Sequence, residues 1–186
     1  MKVMTFTSSG DFRSWLAKNH DQSDGILLRI YKKDSGVSTV TYAEALDQAL
    51  CFGWIDGQKR PNDKQSWLQK FTPRRPKSGW SKNNTRHAER LIKTGEMAPS
   101  GLKEVKAAKA DGRWKAAYES FANAVVPDDF IKELARNKKA NAFFETLNKT
   151  NLYSIAYRLQ TAKTPETKQK RTQAIIEKLA RGEKLH

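Results

Sequence analysis

At 186 residues the chain holds little more than one average domain, which is enough to bury a core without a disulfide or metal staple. Its 35 Lys+Arg against 20 Asp+Glu leave a net charge of +15, while 38% apolar and 10% aromatic residues argue for a folded basic protein rather than a disordered one. The single cysteine, Cys51, excludes an internal disulfide and the cysteine-rich zinc and iron–sulfur modules; the absence of any apolar stretch of about 18 residues excludes a transmembrane helix, and the polar N-terminus shows no secretory apolar region.

Ser8 or Ser9 is placed to cap a helix reaching about Asn19, with Phe12, Trp15 and Leu16 on one face. Residues 25–33 read as a strand with Ile26, Leu28 and Ile30 on one side and Leu27, Arg29 and Tyr31 on the other. After a turn at Ser35-Gly36, Thr41 and Glu44 form a capping box for a helix to about Phe52, and Gly53 follows as its C′ residue. Residues 54–57 then read as a strand running into a turn, with 66–72 as the returning strand. On that strand Trp67 and Gln69 share one side, and Leu68 and Lys70 the other. The two prolines and the glycine of residues 72–79 make a loop.

From Ser81 onward only helices are expected. One is capped by Ser81 and ends before Gly95; one covers about 100–111 and stops at Gly112; one starts near Arg113 and carries Trp114 and Tyr118. Pro127 begins another, with Asp128 and Asp129 at its positive dipole end. Segments 140–147 and 152–159 follow, then a final helix capped by Thr164, striped by Ile175, Ile176 and Leu179 and ended by Gly182. The expected fold is α+β: a small antiparallel sheet with helices in residues 1–95, and a helical region in residues 96–186.

Four stretches of this chain, ALDQALCFGWIDG (45–57), FTPRRPKSGWSKNN (71–84), GEMAPSGLKEVKAAKADGRWKAAY (95–118) and AKTPETKQKRTQAIIEKLARGE (162–183), resemble the YdeI/OmpD-associated, or bacteriocin-protection, family. The last resembles that family's separate C-terminal module, which supports a two-part chain. Lys168 and Thr172 depart from the module's pattern, where an Arg and an apolar residue are usual. The resemblance implies a bacterial protein with a protective phenotype and supplies no catalytic residue.

Charge is concentrated. Between Gln58 and Arg90 ten basic residues, Lys59, Arg60, Lys64, Lys70, Arg74, Arg75, Lys77, Lys82, Arg86 and Arg90, meet only Asp63 and Glu89, and Trp67, Phe71 and Trp80 are interleaved with them. Cations that track a backbone and aromatics that stack on bases are what single-strand binding needs, and Arg forks fit phosphate. A solvated basic face over core tryptophans is the plainer reading. Asp56, between Trp54 and Gly57, suits a general base, a charge partner or an Asp-Gly turn. Ser78, Ser81, Lys82 and Asn84 lie at an expected helix start, where free N–H groups hold anions or simply form a cap. The tail from Lys163 carries seven basic residues against three acids and reads as a helix that docks its apolar stripe or meets an anionic surface.

A Cys51–His87 nucleophile pair has no local support, the three histidines lack metal spacing, and no phosphate-binding glycine loop exists. Neither catalytic residues nor cofactor nor metal is therefore expected. The leading expectation is a non-enzymatic, cytoplasmic, anion-binding protein with nucleic acid as its foremost partner. Its groove would be formed by Trp54, Asp56, Lys59, Arg74, Arg75, Ser78, Trp80, Ser81, Lys82 and Asn84. The alternatives are an enzyme on a small anionic substrate using Asp56 and Arg74/Arg75, and an adaptor for an acidic protein.

Overall fold

The structure is a computed structural model that describes residues 1–119, 121 and 123–185. Among these residues are a four-stranded sheet and eight α-helices. The strands are β1 (Lys2–Met4), β2 (Ile26–Tyr31), β3 (Trp54–Pro61) and β4 (Ser66–Pro73), in the order β1-β2-β4-β3. The α+β division holds, with every strand in the N-terminal half. The sheet is mixed rather than purely antiparallel, because β1 pairs in parallel with β2. Three residues are too few to show a period, so this strand carries no signal in the sequence.

The first unit comprises Met1–Trp80 and Asn84–Ala117. Its helices are α1 (Ser9–Asn19), α2 (Tyr42–Cys51), most of α3 (Lys82–Lys93) and α4 (Pro99–Ala110). Local chemistry sets their ends as the sequence indicates. Ser8 accepts from the Asp11 N–H, and the Thr41 N–H donates to Glu44 Oε2 at 2.8 Å in a complete capping box. Gly53, with φ of 75°, takes the left-handed conformation that ends α2 and turns the chain into β3.

Alternation places Ile26, Leu28, Ile30 and Phe71 on one sheet face, where they are buried with Phe12 and Leu16 of α1 and Leu46 and Leu50 of α2. Two β-branched residues and an aromatic packed against leucines supply the dominant stabilisation, each fully buried side chain contributing about 1.5–3 kcal/mol. Helix α4 joins the same core through Val105 and Ala108, although it lies beyond the 95/96 boundary expected from the sequence.

The β3–β4 hairpin departs from expectation. The chain does not turn at Asp56-Gly57; β3 continues to Pro61, with a bulge between Asp56 and Lys59. The turn comes at residues 62–65 and is knotted by Asp63. Its Oδ1 accepts from the Gln65 N–H (2.9 Å), the Ser66 N–H (2.7 Å) and the Ser66 hydroxyl (2.8 Å). Residues 113–116 are turns, and Tyr118 forms an isolated parallel bridge with Ser81, so no helix starts at Arg113. Asp111 captures the Arg113 N–H and guanidinium, a local alternative to helical bonding.

The second unit is Tyr118–His186 with Ser81–Asn83. It holds α5 (Asp128–Leu134), α6 (Lys138–Phe144), α7 (Lys149–Gln160) and α8 (Pro165–Ala180). Pro127 is the N-cap of α5 rather than its first residue. The tail helix docks its stripe: Ile175, Ile176 and Leu179 are buried with Phe130, Leu134, Ile155 and Leu159.

Candidate anion-binding site

The basic segment is laid out along the hairpin. From Gly57 to Pro61, β3 is an exposed edge strand. On the sheet face that carries the core, Lys59 pairs with Gln69 and Pro61 with Trp67. The Lys59 ammonium lies 4.5 Å from the Trp67 ring centroid. An open cavity of about 400 Å³ is lined by these two residues with Lys32, Pro61, Asp63 and Ser66. Trp67 is half-buried and packs against the core.

Asp63, the acid in this region, is committed to structure. The Ser66 hydroxyl, then backbone N–H groups and the Arg29 guanidinium (2.5 Å from Oδ2), hold its carboxyl below the usual aspartate range. It therefore stays ionised and serves the turn and Arg29. The Lys32 ammonium reaches across to the Lys64 carbonyl at 2.7 Å, which fixes a cation at the cavity rim.

The expected groove is only partly assembled. Trp54 and Trp80 are each 1% exposed, so neither offers a face to a ligand. Trp54 donates from Nε1 to the His20 carbonyl (3.0 Å) and meets Trp15 edge-on; Trp80 lies against Trp114. Arg74 is 7% exposed. Its guanidinium carbon sits 3.5 Å from the Trp80 centroid, Nη1 donates to the Gly79 carbonyl (3.1 Å), and its N–H donates to the Gly53 carbonyl (3.0 Å). Arg74 thus braces the 74–80 loop from inside and is not a clamp facing solvent. Arg75 is exposed; its N–H donates to Ser78 Oγ at 3.0 Å, closing a local turn.

Asp56 and Asn84 do meet. Asn84 Nδ2 donates to Asp56 Oδ1 (3.3 Å) and the Tyr42 hydroxyl donates to Oδ2 (2.9 Å). Both donors are neutral, so Asp56 is a hydrogen-bond anchor between β3, α2 and α3. Burial, and then the Asp56 charge, push the Tyr42 phenol well above its usual range. Ser81 and Lys82 cluster with the second unit: the Lys82 N–H donates to the Tyr118 carbonyl (2.8 Å) and its ammonium pairs with Glu119.

Sequence reasoning names Trp67 among the interleaved aromatics but leaves it out of the groove, and it misses Lys32, Tyr42 and Asp47. The alternation that puts Trp67 beside Lys59 depends on the bulge, whose local signal, Gly57 inside the strand, reads equally as an Asp-Gly turn. Asp47 accepts from His87 Nδ1 (2.7 Å) and from Arg90 (2.5 Å), binding α2 to α3. The His87–Arg90 spacing puts both on one helix face, but nothing near them in sequence identifies Asp47. Cys51 is fully buried and burial raises its thiol pKa, so it is a core residue. Among the described residues no three His, Cys, Asp or Glu side chains gather to hold a metal, and no helix is long and apolar enough to cross a membrane.

A family model described as a domain of unknown function (DUF8412) matches residues 4–104. A second, described as bacteriocin-protection, YdeI or OmpD-associated, matches residues 123–182. The stretch beginning at Ala162 falls in that second match except for its last residue, Glu183, whereas the 45–57 and 71–84 stretches lie within the first. No curated protein and no solved structure matches the chain.

Proposed function

We propose that this chain, which belongs to the DUF8412 family of unknown function and carries a bacteriocin-protection, YdeI or OmpD-associated segment at residues 123–182, is a non-catalytic anion-binding protein whose ligand is single-stranded nucleic acid. The observation that supports this reading is the Trp67–Lys59 pair beside the open cavity of the hairpin. A base entering the cavity displaces the flexible Lys59 side chain from the indole and stacks in its place. Lys59 and Lys32 then meet the flanking phosphates. In this reading the groove expected around Trp54, Arg74 and Trp80 gives way to the hairpin, where a half-buried aromatic and two cations line one open cavity.

Binding fits better than chemistry here. Arg74 is held under the loop by Trp80 and the Gly79 carbonyl, and Asp56 is engaged by Tyr42 and Asn84, so the two do not converge on a substrate.

The test is a fluorescence-anisotropy titration with labelled oligo-dT and oligo-U, beside a duplex, at about 50 and 200 mM salt. Single strands are expected to bind more tightly than the duplex. Trp67→Ala is expected to weaken binding about 5- to 150-fold, the range that corresponds to about 1–3 kcal/mol of stacking per base. Lys59→Ala is expected to lower the salt slope by about one. Absence of binding at the lower salt, or a Trp67→Ala protein that binds as well as the parent, overturns the reading.

A further inference from the structure

The sheet has a second face, whose apolar side chains lie outside the hydrophobic core. The register puts Leu27, Ile55 and Leu68 on it, on three adjacent strands, opposite Ile26, Leu28, Ile30 and Phe71. None of the three belongs to the hydrophobic core or to the side chains packed against it. All are partly exposed, and Val3 on the neighbouring strand is 50% exposed. The same face carries Arg29, Arg60 and Lys70: Arg29 and Arg60 both pair with Leu68, and Lys70 pairs with Leu27. Its one acid is Asp63 at the margin, already ion-paired to Arg29.

We propose that this face docks an amphipathic helix of an acidic partner protein. A sheet face with an aliphatic band is ordinarily covered by a helix, which lays its apolar stripe across several strands. Cations surrounding the band select a helix whose flanks are acidic. A second copy of this chain fits poorly, because pairing like faces would set Arg29, Arg60 and Lys70 against themselves. Nucleic acid fits poorly as well: Tyr31 is the aromatic on this face, and the Arg29 guanidinium 4.6 Å from its ring centroid is held there by Asp63 and Ser66, unlike the displaceable Lys59 over Trp67. The site is separate from the Trp67 cavity, since Trp67 and Leu68 point to opposite sides of β4.

The probe is a labelled synthetic peptide of about 18 residues, five helical turns. It carries Leu at i, i+3, i+4 and i+7 and Glu along both flanks. The full-length protein is expected to bind it at micromolar concentration, with amide shifts in β2 and β4 at Leu27 and Leu68. Arg60→Glu is expected to weaken binding at least about tenfold, and a Lys-flanked version of the peptide to recover affinity for that variant. Lys70→Glu supplies a second, independent charge reversal with the same expected effect. Trp67→Ala is expected to leave peptide binding unchanged, which separates this proposal from the nucleic-acid reading. The proposal is overturned if the Glu-flanked peptide does not bind at about 1 mM. It is equally overturned if both charge reversals bind the peptide like the parent, or if phosphatidylserine vesicles or oligo-dT, rather than the peptide, shift Leu27 and Leu68.

Discussion

Single residues carry some of the sharpest constraints. Gly101, in the first turn of α4, lies so close to the end of α2 that an added Cβ would sit 2.3 Å from the Cys51 carbonyl oxygen and 2.7 Å from that of Leu50. Both are backbone atoms and cannot swing aside. Gly101→Ala is therefore expected to destabilise by about 1–3 kcal/mol, as overpacking does; urea denaturation of the variant checks it through a lowered midpoint at unchanged slope. Asp63 gives a pH prediction. Its folded carboxyl titrates below the ordinary value of 3.8, so its contribution is present above that value and is lost as pH falls through the lower, folded one. Stability followed from pH 5 down to about pH 2 is expected to fall less steeply in Asp63→Asn than in the parent. The sequence shows Asp63 as one of two acids among ten cations and does not show that Ser66, Gln65 and Arg29 converge on it.

The elements were legible to the degree that their ends are chemical. Ser8, Thr41 and Thr164 each accept a backbone N–H at a helix start read from the sequence, so caps fix these boundaries without tertiary help; Asn137 and Asn148 do the same for α6 and α7, which start at Lys138 and Lys149 rather than at the expected 140 and 152. Thr41→Ala is accordingly expected to cost about 1 kcal/mol, read by thermal or urea unfolding. The failures occur where an element depends on a partner distant in sequence. Strand β1 exists only because β2 offers it a free edge. Strand β3 runs past a glycine because β4 pairs with it on the far side of the bulge. The stretch at 113–118 has helical composition but is diverted: Arg113 donates to the Ser78 carbonyl at 2.9 Å and Trp114 packs on Trp80.

At the scale of the whole molecule the chain has two cores with no residue in common, one around the sheet and one among α5 to α8. Phe130→Ala empties part of the second and is expected to cost about 3–5 kcal/mol. Hydrogen exchange is expected to show the loss in α5 to α8 while α1 and α2 stay protected. The two family matches follow the same arrangement, 4–104 on the sheet-bearing part and 123–182 on the helical part. The net charge of +15 belongs to this scale too, and it makes polyanion affinity salt-dependent wherever the ligand docks.

By itself the sequence determined the class of the fold, the caps of α1, α2 and α8, the periods of the helices, the two alternating faces of β2 and β4, and the position of the excess charge. These are properties of residues three or four apart on a helix or two apart on a strand, and the chain carries them wherever it folds. Only the tertiary structure decided which charged and aromatic residues face solvent together. It sent Trp54, Trp80 and Arg74 inward, left Trp67 beside Lys59 at the hairpin, and left Leu27, Ile55 and Leu68 partly exposed among three cations. That choice rests on strand register and on a one-sided covering of the sheet, and both are set by contacts between residues tens of positions apart, which no local pattern encodes.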